Sequence, residues 1–422
     1  MKSELFYKGN YGIERETLRV DRYGALAQTP HPFGDDESIT RDFCENQIEL
    51  ITPVCSSVSE AVSELGRLDR TVKKELEKTG EQIWLYSNPP HFEDESDIPV
   101  ANFTGRHSGK RKYREQLQRR YGKRLMLFSG VHFNFSFDEE YLREICEGDF
   151  DSFRDSFYLN LYKQASKHSW LLLLLTAASP VCDKSLFKDH AKGAEFSRYS
   201  SIRSSEKGYW NSFTPVLRFD SVDDYVSSVS EYVESGRLFS ASEVYLPVRL
   251  KPRGVNCLEN FKNGISHIEL RMFDLDPTTK LGVNEKHLEF AHLLLMYLSA
   301  QPEFEYTPDM QREAVKNHRK AALYDLTGIR IDGVPIIRKA KALLDEIKAF
   351  FEGDENAAAI IEYEKNKLKN RTARKIKKEI IYGQRVRQCV SCLAFQERKK
   401  QISQGILKNS FHTVKSTHTA TG

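Results

Sequence analysis

Residues 131–137 read VHFNFSF. Val131, Phe133, Phe135 and Phe137 alternate there with His132, Asn134 and Ser136. Successive side chains of a strand point to opposite faces, so this run reads as a strand with one apolar and one polar face. The same period of two recurs in 12–20 (GIERETLRV), 47–52 (QIELIT), 243–250 (EVYLPVRL) and 266–273 (SHIELRMF), and each is read as a strand. Helical periodicity falls at 58–79, 111–121, 157–176, 284–300 and 337–351, with 357–381 and 385–402 as basic helices. Asn284 suits the N-cap of its helix, with Glu285 in the favourable first turn. Strands separated by long helical insertions, with no Gly-rich strand-to-helix turn, predict an α+β fold on an antiparallel sheet.

Composition narrows the function. The 422 residues carry 63 Lys and Arg against 60 Asp and Glu, a net charge of +3, with 40% hydrophobic and 29% charged residues. That is a globular composition, neither disordered nor membrane-embedded nor a uniform polyanion trap. The first residues, MKSELFYKGNYGIERE, lack the apolar core of a signal peptide, and the apolar run at 170–178 is too short to span a bilayer. Seven irregularly spaced cysteines do not form a secreted disulfide framework. A reduced, cytoplasmic protein is expected, with no membrane partner.

Charge is unevenly spread. Residues 364–402 hold 13 Lys/Arg against 3 Asp/Glu, and residues 105–124 hold 9 Lys/Arg against Glu115. The first segment could bind nucleic acid, but Ile360, Ile361, Leu368, Ile376, Ile380 and Ile381 are interleaved as in an amphipathic helix. Docking on the acidic remainder is the preferred reading, and no nucleic-acid partner is expected. Cys389 and Cys392 have a redox-motif spacing without a thioredoxin-like context, so they read as helix cysteines with a thiol switch as the alternative. The expected organisation is a catalytic domain at 1–335, a helical extension at 336–410 packing on it, and a frayed tail at 411–422.

The polar strand faces point to chemistry. Glu14 and Glu16 share a face of the first strand, Glu49 lies opposite Ile48 and Leu50, and His267, Glu269 and Arg271 oppose Ile268, Leu270 and Met272. For one strand alone, a polar face in water is the ordinary reading. Four such faces rich in glutamate, with Asp42 just ahead of Glu49, are not, because like charges on paired strands repel. A hard divalent cation between carboxylates relieves that repulsion, and Mg²⁺ held by carboxylates and substrate phosphates is the usual arrangement in ATP-using sites. Too few His and Cys at short spacing are present for zinc. Arg106, Arg111, Arg114, Arg119 and Arg124 could neutralise phosphate, although their spacing wraps around a helix. No P-loop, dinucleotide fingerprint or nucleophile elbow occurs.

The strings GIERETLRV (12–20), ITRDFCENQIELITPV (39–54), TGR (104–106), YREQLQRRYG (113–122), SGVHFNFS (129–136), ASP (178–180), SSIR and GY (200–203, 208–209), VYLPVRLKPR (244–253) and HIELRMFDLDP (267–277) resemble, in order, bacterial glutamate–cysteine ligase, including the ligase half of bifunctional glutathione-forming enzymes. The resemblance implies a twisted antiparallel half-barrel related to that of glutamine synthetase. It implies ATP and Mg²⁺, with Mn²⁺ as an alternative ion, and L-glutamate and L-cysteine as substrates. The γ-carboxylate of glutamate would be phosphorylated and the cysteine amine would then displace phosphate, giving γ-glutamylcysteine, the first step of glutathione biosynthesis. By motif position it implies metal ligands at Glu14, Glu16, Asp42, Glu49, His132 and Glu269. Arg271 would steady the transferring phosphoryl group, with Glu269 beside it and Arg114 also near the nucleotide. Arg203, Tyr209 and Tyr245 would line the substrate pocket, with Tyr113, Leu117, Phe43 and Met126 on the cysteine side.

One position departs from the family pattern: Met126 stands where a glutamine is expected to line the thiol pocket, and a thioether cannot donate a hydrogen bond. The alternative is therefore a γ-glutamyl ligase of the same fold using another amino acid or amine. No second ATP-binding ligase domain fits after residue 300, so glutathione itself is not an expected product. A monomer is compatible with the sequence, which does not set the oligomeric state.

Overall fold

The computed structural model describes residues 4–103 and 108–369. Its strands are β1 (Gly9–Val20), β2 (Ile39–Arg41), β3 (Gln47–Ile51), β4 (Gln82–Trp84), β5 (Gly130–Phe137), β6 (Val181–Asp183), β7 (Ala194–Phe196), β8 (Val248–Pro252) and β9 (Ile265–Asp274), with a two-residue pair β10 (Arg330–Ile331) and β11 (Val334–Pro335). Its helices are α1 (Val58–Leu76), α2 (Ser108–Tyr121), α3 (Glu139–Glu144), α4 (Phe150–Thr176), α5 (Val222–Glu234), α6 (Glu285–Ser299), α7 (Pro308–Ala321), α8 (Ile336–Phe350) and α9 (Glu355–Lys369). The main sheet runs β2-β3-β1-β5-β9-β8, with β4 beside the end of β1, and every pairing is antiparallel. β6 and β7 form a separate pair. This is the α+β class that the alternating segments predicted.

The period of two divides the sheet as expected. Ile13, Phe133, Phe135, Ile268 and Leu270 lie on one face, each 1% exposed or less, in a core shared with α1, α4 and α6. Burying each contributes about 1.5–3 kcal/mol. Arg15, on this same face, is the exception. Its guanidinium is wholly buried, 2.8 Å from Asp69 of α1, and donates to the Leu281 carbonyl at 2.9 Å. A charge survives there because it is paired.

Caps explain the helix limits. Asp149 accepts from the Ser152 amide at 2.9 Å and starts α4 seven residues earlier than the periodicity suggested. Asn284 caps α6 as expected, accepting from the Lys286 amide at 3.1 Å. Ser221 and Thr307, the latter followed by Pro308, cap α5 and α7, two helices that the sequence reading passed over.

The segment read as a strand at 243–250 is displaced. Ala241–Glu243 forms a 3-10 turn and β8 begins only at Val248. Pro247 has no N–H to give a ladder, and the Tyr245 amide is taken by Asn211 at 2.9 Å. Ile336, Leu344 and Ile361 of α8 and α9 join the same buried core as the sheet. The basic run beyond residue 369, Cys389, Cys392 and the tail lie outside the described residues, as does Arg106. No helix among the described residues is long and apolar enough to cross a membrane.

Candidate active site

Strand register assembles the acidic side chains. Glu16 of β1 faces Glu49 of β3, and Glu14 faces His132 of β5. Asn134 in turn faces Glu269 of β9, which faces Arg249 of β8. The polar faces of five adjacent strands thus form one continuous wall. His132 Nδ1 lies 3.1 Å from Glu14 and 3.4 Å from Glu269, and its Nε2 lies 3.6 Å from Glu16. One ligand atom each from Glu14, His132 and Glu269 lies within 4.8 Å of the other two. Among the described residues, that triad alone is tight enough to hold an ion without movement.

A bulge aims the last charge. Val131 pairs with Phe273 but Phe133 pairs with Leu270, so Arg271 and Met272 together stand opposite His132. Bulges of this kind redirect side chains beside active sites. Arg271 donates to Glu269 at 2.9 Å, and its amide donates to the Pro247 carbonyl at 2.8 Å.

The wall is electrostatically split. Glu269, wholly buried, has Arg271, Lys251 (3.4 Å) and Arg249 (3.9 Å) around it. Burial pushes its carboxyl up, but Lys251, Arg271 and Arg249 more than offset this and hold it well below the usual range. Burial and Glu269 likewise push Glu14 up, yet the His132 hydrogen bond and Lys251 bring it to about 2. At the other end the balance reverses. Burial and the Asp42 charge drive Glu49 well upward, with Glu14 and Glu16 adding to it and Arg114 offsetting only part. Burial also raises Glu16, outweighing His132, with Asp42 adding to the rise and Arg203 and Arg271 opposing it.

That imbalance fits a divalent cation. Five carboxylates and a single imidazole are an oxygen-rich donor set suited to a hard ion. His132 Nε2 and Glu269 Oε2 are buried without hydrogen-bond partners, and buried polar groups of this kind call for a ligand or an ion.

Beyond Arg271 lies a cleft lined by Arg203, Tyr209, Tyr245, Arg271 and His318 among others. Arg203 is 8% exposed and donates to the Arg271 carbonyl at 3.0 Å. Its guanidinium lies over Gly130, where a Cβ would come within 2.3 Å of it. Tyr209 and Tyr245 face each other with ring centroids 4.1 Å apart, and burial pushes both phenols up, so they stay protonated. Asp274 ties down the backbone on either side of β6 and β7, accepting from Ser179 at 2.8 Å and from Ser201, two residues before Arg203, at 3.1 Å.

At the other end the same face of β1 turns apolar. Leu18 and Val20 continue the row of Glu14 and Glu16 into a buried cluster with Phe43, Leu117 and Met126. Tyr113 packs at its edge, and Met126 is 3% exposed. Arg114 of α2 stands over this end, 3.8 Å from Asp42 and 4.5 Å from the Phe103 ring centroid, and donates to the Asp42 carbonyl. Arg114 is thus placed at the Asp42 end of the wall.

Comparison with known proteins accounts for this arrangement. A family model described as glutamate-cysteine ligase matches residues 1–321. The chain belongs to the glutamate–cysteine ligase family. It is 36% identical over 396 residues to the glutathione biosynthesis bifunctional protein of Clostridium perfringens, covering 87% of this chain and 51% of that one. The chain therefore spans about half the length of the bifunctional relatives it matches. It is 32% identical to the glutamate–cysteine ligase of Clostridium acetobutylicum, covering 76% of this chain and 78% of that one. Among solved structures, glutamate–cysteine ligase from Francisella tularensis in complex with AMP superposes with a TM-score of 0.80 at 26% identity, covering 94% of each chain. A bifunctional glutathione synthetase from Pasteurella multocida gives 0.78 at 27% identity, over 92% of this chain and 52% of that one. Membership in this ligase family is consistent with ATP and a divalent metal at the site.

Three polar side chains and one glycine of this family member's site were not among the candidate site residues. Asn134 donates to Glu14 at 3.2 Å, the Gly130 amide donates to Glu16 at 3.0 Å, and Lys251 and Arg249 compensate Glu269. Asn134, Arg249 and Lys251 follow the same alternation as their neighbours and could have been found by it. Gly130 could not, since its role is to leave room.

Proposed function

We propose that the chain ligates the γ-carboxylate of L-glutamate to the amine of L-cysteine at the expense of ATP, through γ-glutamyl phosphate, to give γ-glutamylcysteine. The observation that carries this reading is the carboxylate wall ending in the buried Arg203 and the half-buried Arg271, which line one cleft. Glu14, Glu16, Asp42, Glu49, His132 and Glu269 would hold Mg²⁺ (or Mn²⁺), which when bound neutralises phosphate oxygens and polarises the γ-phosphate. Arg271, kept in place by Glu269, stabilises charge on the transferring phosphoryl group, since phosphoryl transfer is mostly positioning and electrostatics. Arg203 pairs with a substrate carboxylate through its two-pronged guanidinium. Tyr209 and Tyr245 wall the cavity, and Arg114 lies where it can meet substrate charge at the Asp42 end. The amine then attacks the acyl phosphate, a step that orientation alone accelerates greatly.

Phe43, Leu117, Met126 and Tyr113 form the side of the site assigned to the amine acceptor. Because that wall is apolar, the second reading is a γ-glutamyl ligase that accepts other small amino acids. We assign residues 1–335 as the catalytic unit and residues 336–369 as the described part of a C-terminal extension packed on it; residues 370–410 lie outside the described residues. The deciding experiment is incubation with glutamate, ATP, Mg²⁺ and an equimolar mixture of amines, with the product identified by mass spectrometry. γ-Glutamylcysteine should dominate. Cysteine being used no better than alanine or 2-aminobutyrate would defeat the cysteine reading.

A further inference from the structure

The cavity beside Arg203 and Arg271 reaches α7, where His318 forms part of its lining. His318 is 1% exposed. Its Nδ1 lies 3.0 Å from the Ser169 hydroxyl of α4, and its ring meets Trp210, another lining residue, edge to face at 5.7 Å. Among the described residues no hydrogen bond engages Nε2. Burial and the neighbouring Arg319 and Arg203 charges bring this imidazole to about 3, so it is neutral at physiological pH.

The lining contains two arginines and no carboxylate. Two guanidinium groups suit the two anionic ends of a dicarboxylate, but an amino acid also brings an ammonium, and burying that group without an acceptor is costly. A neutral imidazole that donates Nδ1–H to Ser169 presents a lone pair at Nε2. We propose that His318, oriented by Ser169, accepts a hydrogen bond from the α-ammonium of glutamate and gives the pocket its preference for an α-amino acid over a plain dicarboxylic acid. The proposal rests on the ligase reading above and names a binding residue for its donor substrate.

The test compares glutamate with glutarate, which lacks the α-amino group, as substrate or as competitor in ATP turnover by the full chain. His318→Phe should lower kcat/KM for glutamate at least ~10-fold, the loss expected of one hydrogen bond to a charged group. Binding of glutarate and the KM for ATP should stay within about twofold, well inside that same margin. His318→Gln, which restores an acceptor, should recover part of the preference. Ser169→Ala should raise the KM for glutamate in the same direction by less, and these two variants decide the matter if the phenylalanine variant does not fold. Equal losses for glutamate and glutarate, or a change confined to ATP, would overturn the assignment while leaving the ligase reading intact. A wild-type chain with no glutamate-dependent ATP turnover would overturn both.

Discussion

Glu49 and Glu269 occupy the same wall, yet their neutralisation should have opposite effects on stability. Glu269 is 0% exposed and surrounded by Arg271 at 2.9 Å, Lys251 at 3.4 Å and Arg249 at 3.9 Å. Glu269→Gln leaves these cations facing one another in a buried site, a loss of about 3–5 kcal/mol. Glu49 faces Glu16 directly and is further burdened by Asp42. Glu49→Gln removes a like-charge pair, a gain of about 0.2–1 kcal/mol. Thermal unfolding in EDTA should therefore show a midpoint up to about 1 °C higher for Glu49→Gln and roughly 3–6 °C lower for Glu269→Gln. The gain for Glu49→Gln should fade in acid, because a carboxyl raised on folding costs stability only where it is ionised. Both variants should lose at least about tenfold in turnover, since ligand substitutions cost no less than those of the groups behind them. The reasoning fails if Glu49→Gln is less stable than wild type in EDTA, or if Glu269→Gln is neutral. Retention of wild-type turnover by Glu49→Gln would remove Glu49 from the metal site.

Three further outcomes are expected. Gly130→Ala places a methyl 2.3 Å from the Arg203 guanidinium and should raise the KM for glutamate more than that for ATP; unchanged constants would show that Arg203 does not bind substrate. Met126→Gln should change the KM for the amine acceptor more than that for ATP or glutamate, and if all three stay put Met126 does not border the acceptor. His91 lies 3.0 Å from Asp183 and 3.4 Å from Glu93, and the Asp183 hydrogen bond outweighs burial and raises its pKa. Its contribution should be full below about pH 6.5 and lost as pH rises through the raised value. Denaturation of wild type and His91→Gln across this range should show the stability gap closing with rising pH; a gap that is constant or widens would refute it.

Local alternation was enough to separate the two faces of β1, β3, β5 and β9, because a strand's side-chain direction depends on nothing beyond residue parity. It was therefore enough to gather Glu14, Glu16, Glu49, His132, Glu269 and Arg271 as candidates. It could not explain Arg15, which parity puts in the core and which is tolerated there only because Asp69 arrives from α1. Nor could it foresee that Tyr245 would lie before β8 rather than in it, since the Asn211 side chain that takes its amide comes from 34 residues upstream.

Within this chain, sequence alone set which side chains share a strand face and that Asn284 starts its helix, properties of neighbours along the backbone, whereas α5, α7 and the start of α4 emerged only in the fold. Tertiary structure alone decided that Glu16 meets Glu49, that Glu14 meets His132, that a bulge turns Arg271 toward Glu269, and that Gly130 leaves room for Arg203. Register, bulges and close approach depend on which residue of a distant strand comes opposite, and Coulomb interactions depend on that distance and not on separation along the chain.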